Sequence, residues 1–281
     1  MTDAAHLAEL LGSGVRAVTD LGSSHSWTVH RALLDDGRDV FVKAALDQAA
    51  VFEAEAAGLR WLGAGVPELV PEVLAVDERM LVLPWLSQAS PSAAAAERFG
   101  RDLAALHADS PGLFGASWSG WIADLPLDNT QVDGSWARWY AEYRLAPYLP
   151  RAAADLGRDG IGLLERVIEN IDSLAGPPEP PSRIHGDLWA GNIVWTADRA
   201  LLIDPAAHGG HRETDLAMLA LFGAPYLDRI RAAYNETHPL ADGWRTRIPL
   251  HQLHPLLVHV ALFGSSYRSR TLAAARAATH R

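Results

Sequence analysis

The segment RIHGDLWAGNIVW, residues 183–195, decides how the whole chain is interpreted. Apolar residues at both ends predict short buried strands, and the polar residues between them lie in glycine-containing turns. Asp187 precedes Asn192 by five positions, the spacing of the aspartate and asparagine in the kinase catalytic loop H-R-D-L-x-x-x-N. Phosphoryl transfer needs a carboxylate that orients the attacking hydroxyl, and ligands that hold magnesium against the phosphates. The segment therefore predicts Asp187 as the catalytic carboxylate and Asn192 as a magnesium ligand, with His185 supporting the loop.

Three more residues follow the order that a kinase site requires. An apolar strand ends at Asp204, twelve residues after Asn192, where a second magnesium ligand is expected. Lys43 ends the strand-like segment 40–43 and resembles the lysine that reaches the phosphates from a β-strand. Glu55 falls near the buried face of a predicted helix, so its carboxylate needs a partner. We expect Lys43 to be that partner.

Each of these residues, taken alone, also has a structural explanation. An aspartate in a glycine-containing turn often only stabilises the turn, and a lysine at a strand end often extends along apolar surface to reach water. A glutamate on a buried helix face can pair with any nearby arginine. All of these residues occur together, each on the element that its role would require, and this joint order favours a kinase.

Composition excludes several other classes of protein. The 281 residues contain no cysteine, which excludes disulfides and thiolate metal sites. The formal net charge of −10 argues against nucleic-acid binding, since such proteins gather lysine and arginine to neutralise phosphates, and it allows a cationic ligand. No apolar run is long enough for a membrane span, and the amino terminus shows no secretory signal. We therefore expect a cytoplasmic protein without a membrane partner. Its oligomeric state is left open, with a monomer as one option.

The hydrophobic pattern changes along the chain and predicts two lobes. Residues 27–43 predict two strands around an Asp-Gly turn, the dipeptide that favours a tight hairpin. A helix is expected over 51–62, followed by a strand pair near 73–76 and 80–86. From Ser92 onward the apolar spacing is mostly helical.

The expected fold class is therefore α+β, with two lobes as in protein kinases. We place a small β-rich nucleotide-binding lobe with its hinge at residues 1–86. The larger, mostly helical lobe, with the catalytic loop and the substrate site, is expected at residues 87–281.

Three blocks of sequence carry a family resemblance. HGDLWAGN at 185–192, DPA at 204–206 and GHRETDLAML at 210–219 resemble the fructosamine kinase (ketoamine kinase) family. That family lies in the aminoglycoside phosphotransferase-like branch of the protein-kinase fold. Trp189, where antibiotic and homoserine kinases more often carry histidine, favours the ketoamine branch, as does the G-x-R-E-x-D-L-A-M pattern. The resemblance extends over nearly the whole chain.

The resemblance implies an ATP- and magnesium-dependent kinase that phosphorylates a sugar hydroxyl of a ketoamine. The acceptor would be a fructosamine or ribulosamine adduct, typically at its third hydroxyl, on a free amine or on protein-bound lysine, as in the repair of glycation damage. It also implies that Asp215 braces the catalytic loop, although helix capping explains an aspartate at the start of an apolar helix equally well.

The nucleotide site is expected at a loop and a hinge. Gly22, Ser23 and Ser24 occupy the position of the nucleotide-covering loop, but the G-x-G-x-x-G pattern is absent, and an ordinary polar turn is an equal alternative. The segment from Leu83 to Leu86 resembles the hinge between the lobes. The carbonyl of Pro84 can accept from adenine, but its nitrogen cannot donate, so we expect Leu86 to donate instead.

The substrate site is expected to include Trp189, His211 and Trp118. Trp118 belongs to a set of four tryptophans, with Trp121, Trp136 and Trp139, placed where a substrate wall would lie, although aromatic residues at helical spacing are more often core. Metal sites built from the histidines of 208–211 or 251–259 are not expected, because no carboxylate completes a ligand set in the sequence.

Two other functions remain open on the sequence alone. One is a kinase of the same fold that acts on an aminoglycoside, choline or homoserine. The other is a nucleotide-binding pseudokinase, against which stands the presence of the whole set of expected site residues, Lys43, Glu55, Asp187, Asn192 and Asp204.

Overall fold

A five-stranded antiparallel sheet forms the amino-terminal part of the fold, in the strand order β1-β2-β3-β5-β4. The computed structural model describes residues 3–24, 27–45 and 50–279. The strands of this sheet and the two helices that accompany them are α1 (Ala4–Leu11), β1 (Val15–Ser24), β2 (Trp27–Leu34), β3 (Asp39–Ala45), α2 (Ala50–Gly65), β4 (Ala75–Val76) and β5 (Met80–Pro84).

The rest of the chain is mostly helical. Its helices are α3 (Ala93–Ala108), α4 (Trp136–Tyr140), α5 (Leu149–Glu169), α6 (Ile171–Leu174), α7 (Glu213–Phe222), α8 (Leu227–Thr237), α9 (Trp244–His251), α10 (Leu253–Phe263) and α11 (Arg268–Thr279). Three two-stranded sheets are inserted among them, formed by β6 (Gly120–Ile122) with β7 (Leu125–Leu127), β8 (Ser182–Ile184) with β11 (His208–Gly210), and β9 (Ile193–Trp195) with β10 (Ala200–Leu202). The sheets formed by β8 with β11 and by β9 with β10 carry the catalytic-loop segment.

The predicted hairpin of residues 27–43 is confirmed. β2 and β3 pair from Trp27 opposite Ala45 to Leu33 opposite Asp39. Gly37, in the turn between them, has a φ of +90°, a conformation that glycine adopts without a steric penalty.

The alternation of side chains along β3 determines which of them face α2 and the cleft between the lobes. Because successive residues of a strand point to opposite faces, Val40 and Val42 pack with Leu7 of α1 on one side of the sheet. Phe41 packs on the other side, in the cluster that contains Phe52 of α2. Lys43, two residues after Phe41, therefore points toward α2 and the cleft between the lobes.

The helical part has its own core, and two of the four expected wall tryptophans belong to it. Trp136 and Trp139 are 6% and 2% exposed and pack among α5, α9 and α10. Trp136 stacks on Tyr140 with ring centroids 4.7 Å apart. For these two tryptophans the core explanation is correct, and they are not part of a substrate wall.

The two-lobed, protein-kinase-like α+β fold that the sequence predicts is confirmed by this architecture and by the structural comparisons reported below. We propose that the lobes divide after Leu86, since β5 ends at Pro84 and the first helix of the helical part begins at Ala93.

Within the described residues, none of the helices combines the length and apolar character needed to cross a membrane.

Candidate active site

An ion cluster joins the sheet to the helical part, with Lys43 and Glu55 buried and the Asp204 side chain 43% exposed. The Lys43 Nζ lies 2.7 Å from Oε2 and 2.8 Å from Oε1 of Glu55, and 2.6 Å from Oδ1 of Asp204. Burial opposes the charged form of Lys43, but the two carboxylates outweigh it and raise the pKa of Lys43 above its ordinary value. The structure thus brings together the strand lysine, the helix glutamate and the carboxylate after β10.

The catalytic-loop segment lies between β8 and β9 and ends in a short 3-10 helix, Ala190–Asn192. The Asn192 side-chain amide donates to the carbonyl of Asp187 at 2.9 Å and to its carboxylate at 3.1 Å. The same amide lies 3.5 Å from the carbonyl oxygen of Asp204. The side chain of Asn192 therefore contacts both Asp187 and Asp204. The spacing in the sequence predicted that these residues lie together.

Burial raises the pKa of the Asp187 carboxyl to about 7, with the negative charge of Asp204 acting in the same direction and the hydrogen bond from Asn192 opposing it. An aspartate with a pKa in this range is suited to exchange a proton near neutral pH. Asp204 behaves differently, because Lys43 outweighs the effect of burial and lowers the pKa of Asp204.

Asp215 holds the start of the loop. Its carboxylate accepts from the backbone N–H of His185 at 2.7 Å, from that of Gly186 at 3.0 Å and from the His107 ring at 3.1 Å. α7 begins at Glu213, so Asp215 lies inside the helix and helix capping is the wrong explanation for it. The contacts are those that a brace of the catalytic loop would make.

His185 is buried in the loop and connects it to the segment before Asp204. Its Nε2–H donates to the carbonyl of Ile203 at 2.9 Å, and its Nδ1 accepts from the backbone N–H of Asp187 at 3.3 Å. Burial lowers the pKa of His185, so its ring is neutral at neutral pH. A neutral ring with one donor and one acceptor fits both contacts.

A cavity of about 180 Å³ lies under the hinge and is lined by Leu83, Pro84 and Leu86, together with Leu21 and Phe41. The Trp85 N–H donates to the carbonyl of Asp39 at 2.9 Å, so the backbone of Trp85 faces β3. Strand alternation turns the carbonyl of Pro84 to the opposite edge. The expected hinge residues therefore line a cleft, and apolar residues that the sequence analysis missed form its other walls.

The expected nucleotide loop is only partly described. Gly22 and Ser23 continue β1, opposite Val29 and Thr28 of β2, and Gly22 has a φ of +107° at a register shift in the strand. The backbone of Ser24 also belongs to β1. His25 and Ser26, which follow in the chain, lie outside the described residues.

A second cavity, of about 430 Å³, opens beside Asp187 and is lined by Trp189, Trp118 and Trp121. Trp189 is 41% exposed. Trp118 packs edge-on against Trp61, with centroids 5.6 Å apart. The cavity lies where a substrate of Asp187 would bind, and two of the expected substrate residues line it.

The expectation that His211 contacts substrate is wrong. Its ring is 3% exposed and packs against Trp136 and His251 at centroid distances of 4.8 and 4.9 Å. Position 211 follows β11 directly, and the sequence block in which it lies does not reveal that the side chain turns into the core.

The expectation that no carboxylate would accompany these histidines is also wrong. Glu213 approaches His211 and His251, with one ligand atom of each within 4.8 Å of the others. Both oxygens of Glu213 accept from the guanidinium of Arg247, at 2.9 and 2.5 Å. The carboxylate is therefore already neutralised by an arginine, and the cluster is a buried polar network.

Several residues that line the larger cavity were missed by sequence analysis. They come from α7, α10 and the turn after α10, and they are Met218, Phe222, Pro255, Val258, His259, Leu262, Phe263 and Tyr267. All but His259 are apolar or aromatic residues at helical spacing, which is typical of core residues, so the sequence carried no signal that separates them from the core.

Together, the two lobes, the lysine–glutamate pair and the loop that carries Asp187 and Asn192 define a phosphotransferase of the protein-kinase-like fold. The same fold occurs in a thermostable mutant of the aminoglycoside phosphotransferase APH(4)-Ia, solved with ADP and hygromycin B. That structure matches at a TM-score of 0.67 and 16% identity over the full length of both chains.

The chain belongs to the fructosamine kinase family, whose sequence model matches residues 3–278. A probable ketoamine kinase from Synechocystis is 34% identical over 248 residues, which cover 85% of this chain and 82% of the relative. A solved structure of a candidate fructosamine-3-kinase from Thermobifida fusca is 54% identical, with a TM-score of 0.96, and covers 100% of this chain and 99% of its own. The family resemblance seen in the sequence is confirmed.

Replacing Asp215 by asparagine tests whether its carboxylate holds the catalytic loop in place. The amide keeps the size of the side chain but offers one acceptor oxygen where two backbone N–H groups and a histidine now donate. We expect kcat to fall on the order of 10²-fold, because small displacements of a catalytic group are costly, while the KM for ATP changes little. Steady-state kinetics and urea unfolding would measure both effects. Asp172→Asn, at an exposed aspartate, is the control, and an unchanged kcat in a folded Asp215→Asn protein would contradict the role.

Proposed function

We propose that the protein transfers the γ-phosphoryl group of ATP to a sugar hydroxyl of a ketoamine. The arrangement of the charged residues is the observation that supports this proposal most strongly. The ion cluster of Lys43, Glu55 and Asp204 adjoins the pair Asp187 and Asn192, and Asp204, which lines both cavities, marks their junction. A phosphate donor on one side and a hydroxyl acceptor on the other would meet at this junction.

Asp187 is the proposed catalytic residue. It would orient the acceptor hydroxyl and take its proton as the oxygen attacks the γ-phosphorus, while ADP leaves with the electron pair of the broken P–O bond. Its raised pKa, about 7, suits a group that must hold a proton briefly and release it near neutral pH.

Asn192 and Asp204 would hold Mg²⁺. The carboxylate of Asp204 and the side-chain oxygen of Asn192 are the hard oxygen donors that Mg²⁺ prefers, so the residues present fit this ion. When bound, the ion supplies positive charge that offsets the phosphates. Lys43, oriented by Glu55, would contact the non-transferred phosphates.

The cleft of about 180 Å³ under the hinge is the proposed adenine site. The Pro84 carbonyl, which faces away from β3, would accept from the adenine amino group, and the Leu86 N–H would donate to the ring. Leu83 would pack against the base. Gly22, Ser23 and Ser24 would cover the phosphates, since backbone N–H groups near a glycine can approach anionic oxygens closely.

The larger cavity is the proposed ketoamine site. Trp189 and Trp118 line it, and the faces of indole rings suit both sugars and cations. The secondary amine of a ketoamine is protonated at neutral pH, so the nearby carboxylate of Asp187 would favour it. We assign the protein to the repair of glycated amines or lysines in the cytoplasm.

Changing Asp187 to asparagine should lower turnover on the order of 10²- to 10⁴-fold, because the amide cannot accept the proton of the acceptor hydroxyl. Binding of ATP should persist. Coupled detection of ADP release would measure turnover, and fluorescence titration would measure ATP binding. Asp198→Asn, an exposed aspartate beyond the loop, serves as the matched control. A folded Asp187→Asn protein with turnover close to that of the wild type would remove Asp187 from the reaction.

A substrate panel tests the proposed reaction itself. With ATP and Mg²⁺, the purified protein should release ADP in the presence of fructosyl-lysine or ribulosyl-lysine, and much less with aminoglycosides, choline or homoserine. Phosphorus NMR of the product should show a phosphate ester on a sugar hydroxyl. Turnover of an antibiotic or choline with none of a ketoamine would contradict the proposal in favour of another kinase of this fold. Tight ATP binding without turnover of any acceptor would indicate a pseudokinase.

A further inference from the structure

The segment of residues 205–207, directly after Asp204, lies between α2 and the catalytic loop. All three of its residues are buried. On the loop side it approaches Gly186, where a Cβ atom would lie 2.2 Å from the carbonyl oxygen of Ala206. Gly186 also has a φ of +81°, a conformation that glycine adopts without a steric penalty. The backbones of the segment and the loop are therefore in close contact, which leaves the segment little room to move toward the loop.

On its other side the segment meets α2 at Gly58. A Cβ atom there would lie 3.2 Å from Cβ of Ala207 and 3.3 Å from Cγ of Pro205, which is closer than the preferred carbon–carbon separation of about 3.5–4.0 Å. Gly58 follows Glu55 by three positions in α2, so the two residues lie on the same face of the helix. Glycine in a helix interior is less favourable than alanine. The missing side chain thus lets α2 approach the segment closely, at a cost to the helix itself.

The neighbours of Asp204 hold its backbone in an unfavourable conformation. Asp204 has a φ of +56°, which is uncommon for a residue other than glycine and persists only where the surrounding structure maintains it. Its Oδ1 lies 2.6 Å from Nζ of Lys43, which Glu55 of α2 binds as well. A change in the spacing between α2 and the segment would therefore move Glu55 and Asp204 relative to each other.

We infer that Gly58 is a positioning residue whose missing side chain sets the spacing between Glu55 and Asp204, an inference that rests on the proposed function. A methyl group at position 58 would press on the rigid ring of Pro205, in a segment that the catalytic loop blocks from behind. The helix or the segment would have to shift by a few tenths of an ångström. Because Mg²⁺ demands near-ideal octahedral geometry, such a shift would weaken magnesium-dependent ATP binding in a protein that remains folded.

Two substitutions in the same helix separate the position of the contact from tight packing in general. Gly58→Ala and Gly63→Ala both introduce the better helix former, and a Cβ atom at Gly63 would also be tightly packed, 3.1 Å from Cγ2 of Val70, but away from Asp204. Calorimetric titration should show that Gly58→Ala loses about tenfold in affinity for ATP with Mg²⁺, whereas Gly63→Ala stays within about twofold of the wild type. Unchanged affinity in Gly58→Ala, or an equal loss in both variants, would overturn the inference and leave the proposed function intact. A wild type whose ATP binding does not respond to Mg²⁺ would overturn both.

Removing the opposing methyl group tests the contact itself. Ala207→Gly deletes the atom that lies nearest to the new side chain, so Gly58→Ala should cost much less affinity in the Ala207→Gly background than in the wild-type background. Equal costs in the two backgrounds would overturn the inference. If circular dichroism shows that Gly58→Ala does not fold, the double variant decides the question. Recovery of folding and of magnesium-dependent ATP binding in the double variant would support the inference, and failure to recover would contradict it.

Discussion

The position of Lys43 between two carboxylates constrains the rest of the structure. Lys43 and Glu55 are both buried, and removing one partner from a buried ion pair costs about 3–5 kcal/mol, so β3 and α2 must stay together. Asp204, whose side chain is 43% exposed, adds a second contact to Lys43 from the segment after β10. Burial, together with the neighbouring charge of Asp204, raises the pKa of Glu55 to about 7, so a further cation would relieve the crowding of the two carboxylates around Lys43. This electrostatic demand fits the role in magnesium binding that we propose for Asp204.

A second set of contacts couples the catalytic loop to that cluster. Asp215 fixes the backbone of residues 185 and 186, and the ring of His185 reaches the carbonyl of Ile203, the residue before Asp204. Because these groups are buried and fully paired, a displacement of the loop would break several hydrogen bonds at once. The separation between Asp187 and Asp204 is thereby set by the fold before any ligand binds.

The sequence predicted most of the contacts in the candidate active site and little of the larger cavity. Charged residues that are buried must find partners, so Glu55 on an apolar helix face indicated Lys43, and the spacing of Asp187 and Asn192 predicted a loop that brings them into contact. His211 was misplaced, because sequence cannot show which way a side chain turns after a two-stranded sheet. Phe263 went unnoticed, because an apolar residue at helical spacing has the same pattern whether it lines a cavity or a core.

The central claim is that Asp204 binds Mg²⁺ in front of the phosphates that Lys43 contacts. Calorimetric titration of ATP with and without Mg²⁺, in the wild type and in Asp204→Ala, tests it most directly, with Asp198→Ala as the control. We predict that Mg²⁺ strengthens ATP binding on the order of tenfold or more in the wild type and the control, and that Asp204→Ala loses this gain. Equal magnesium-dependent affinity in Asp204→Ala and the wild type would contradict the account.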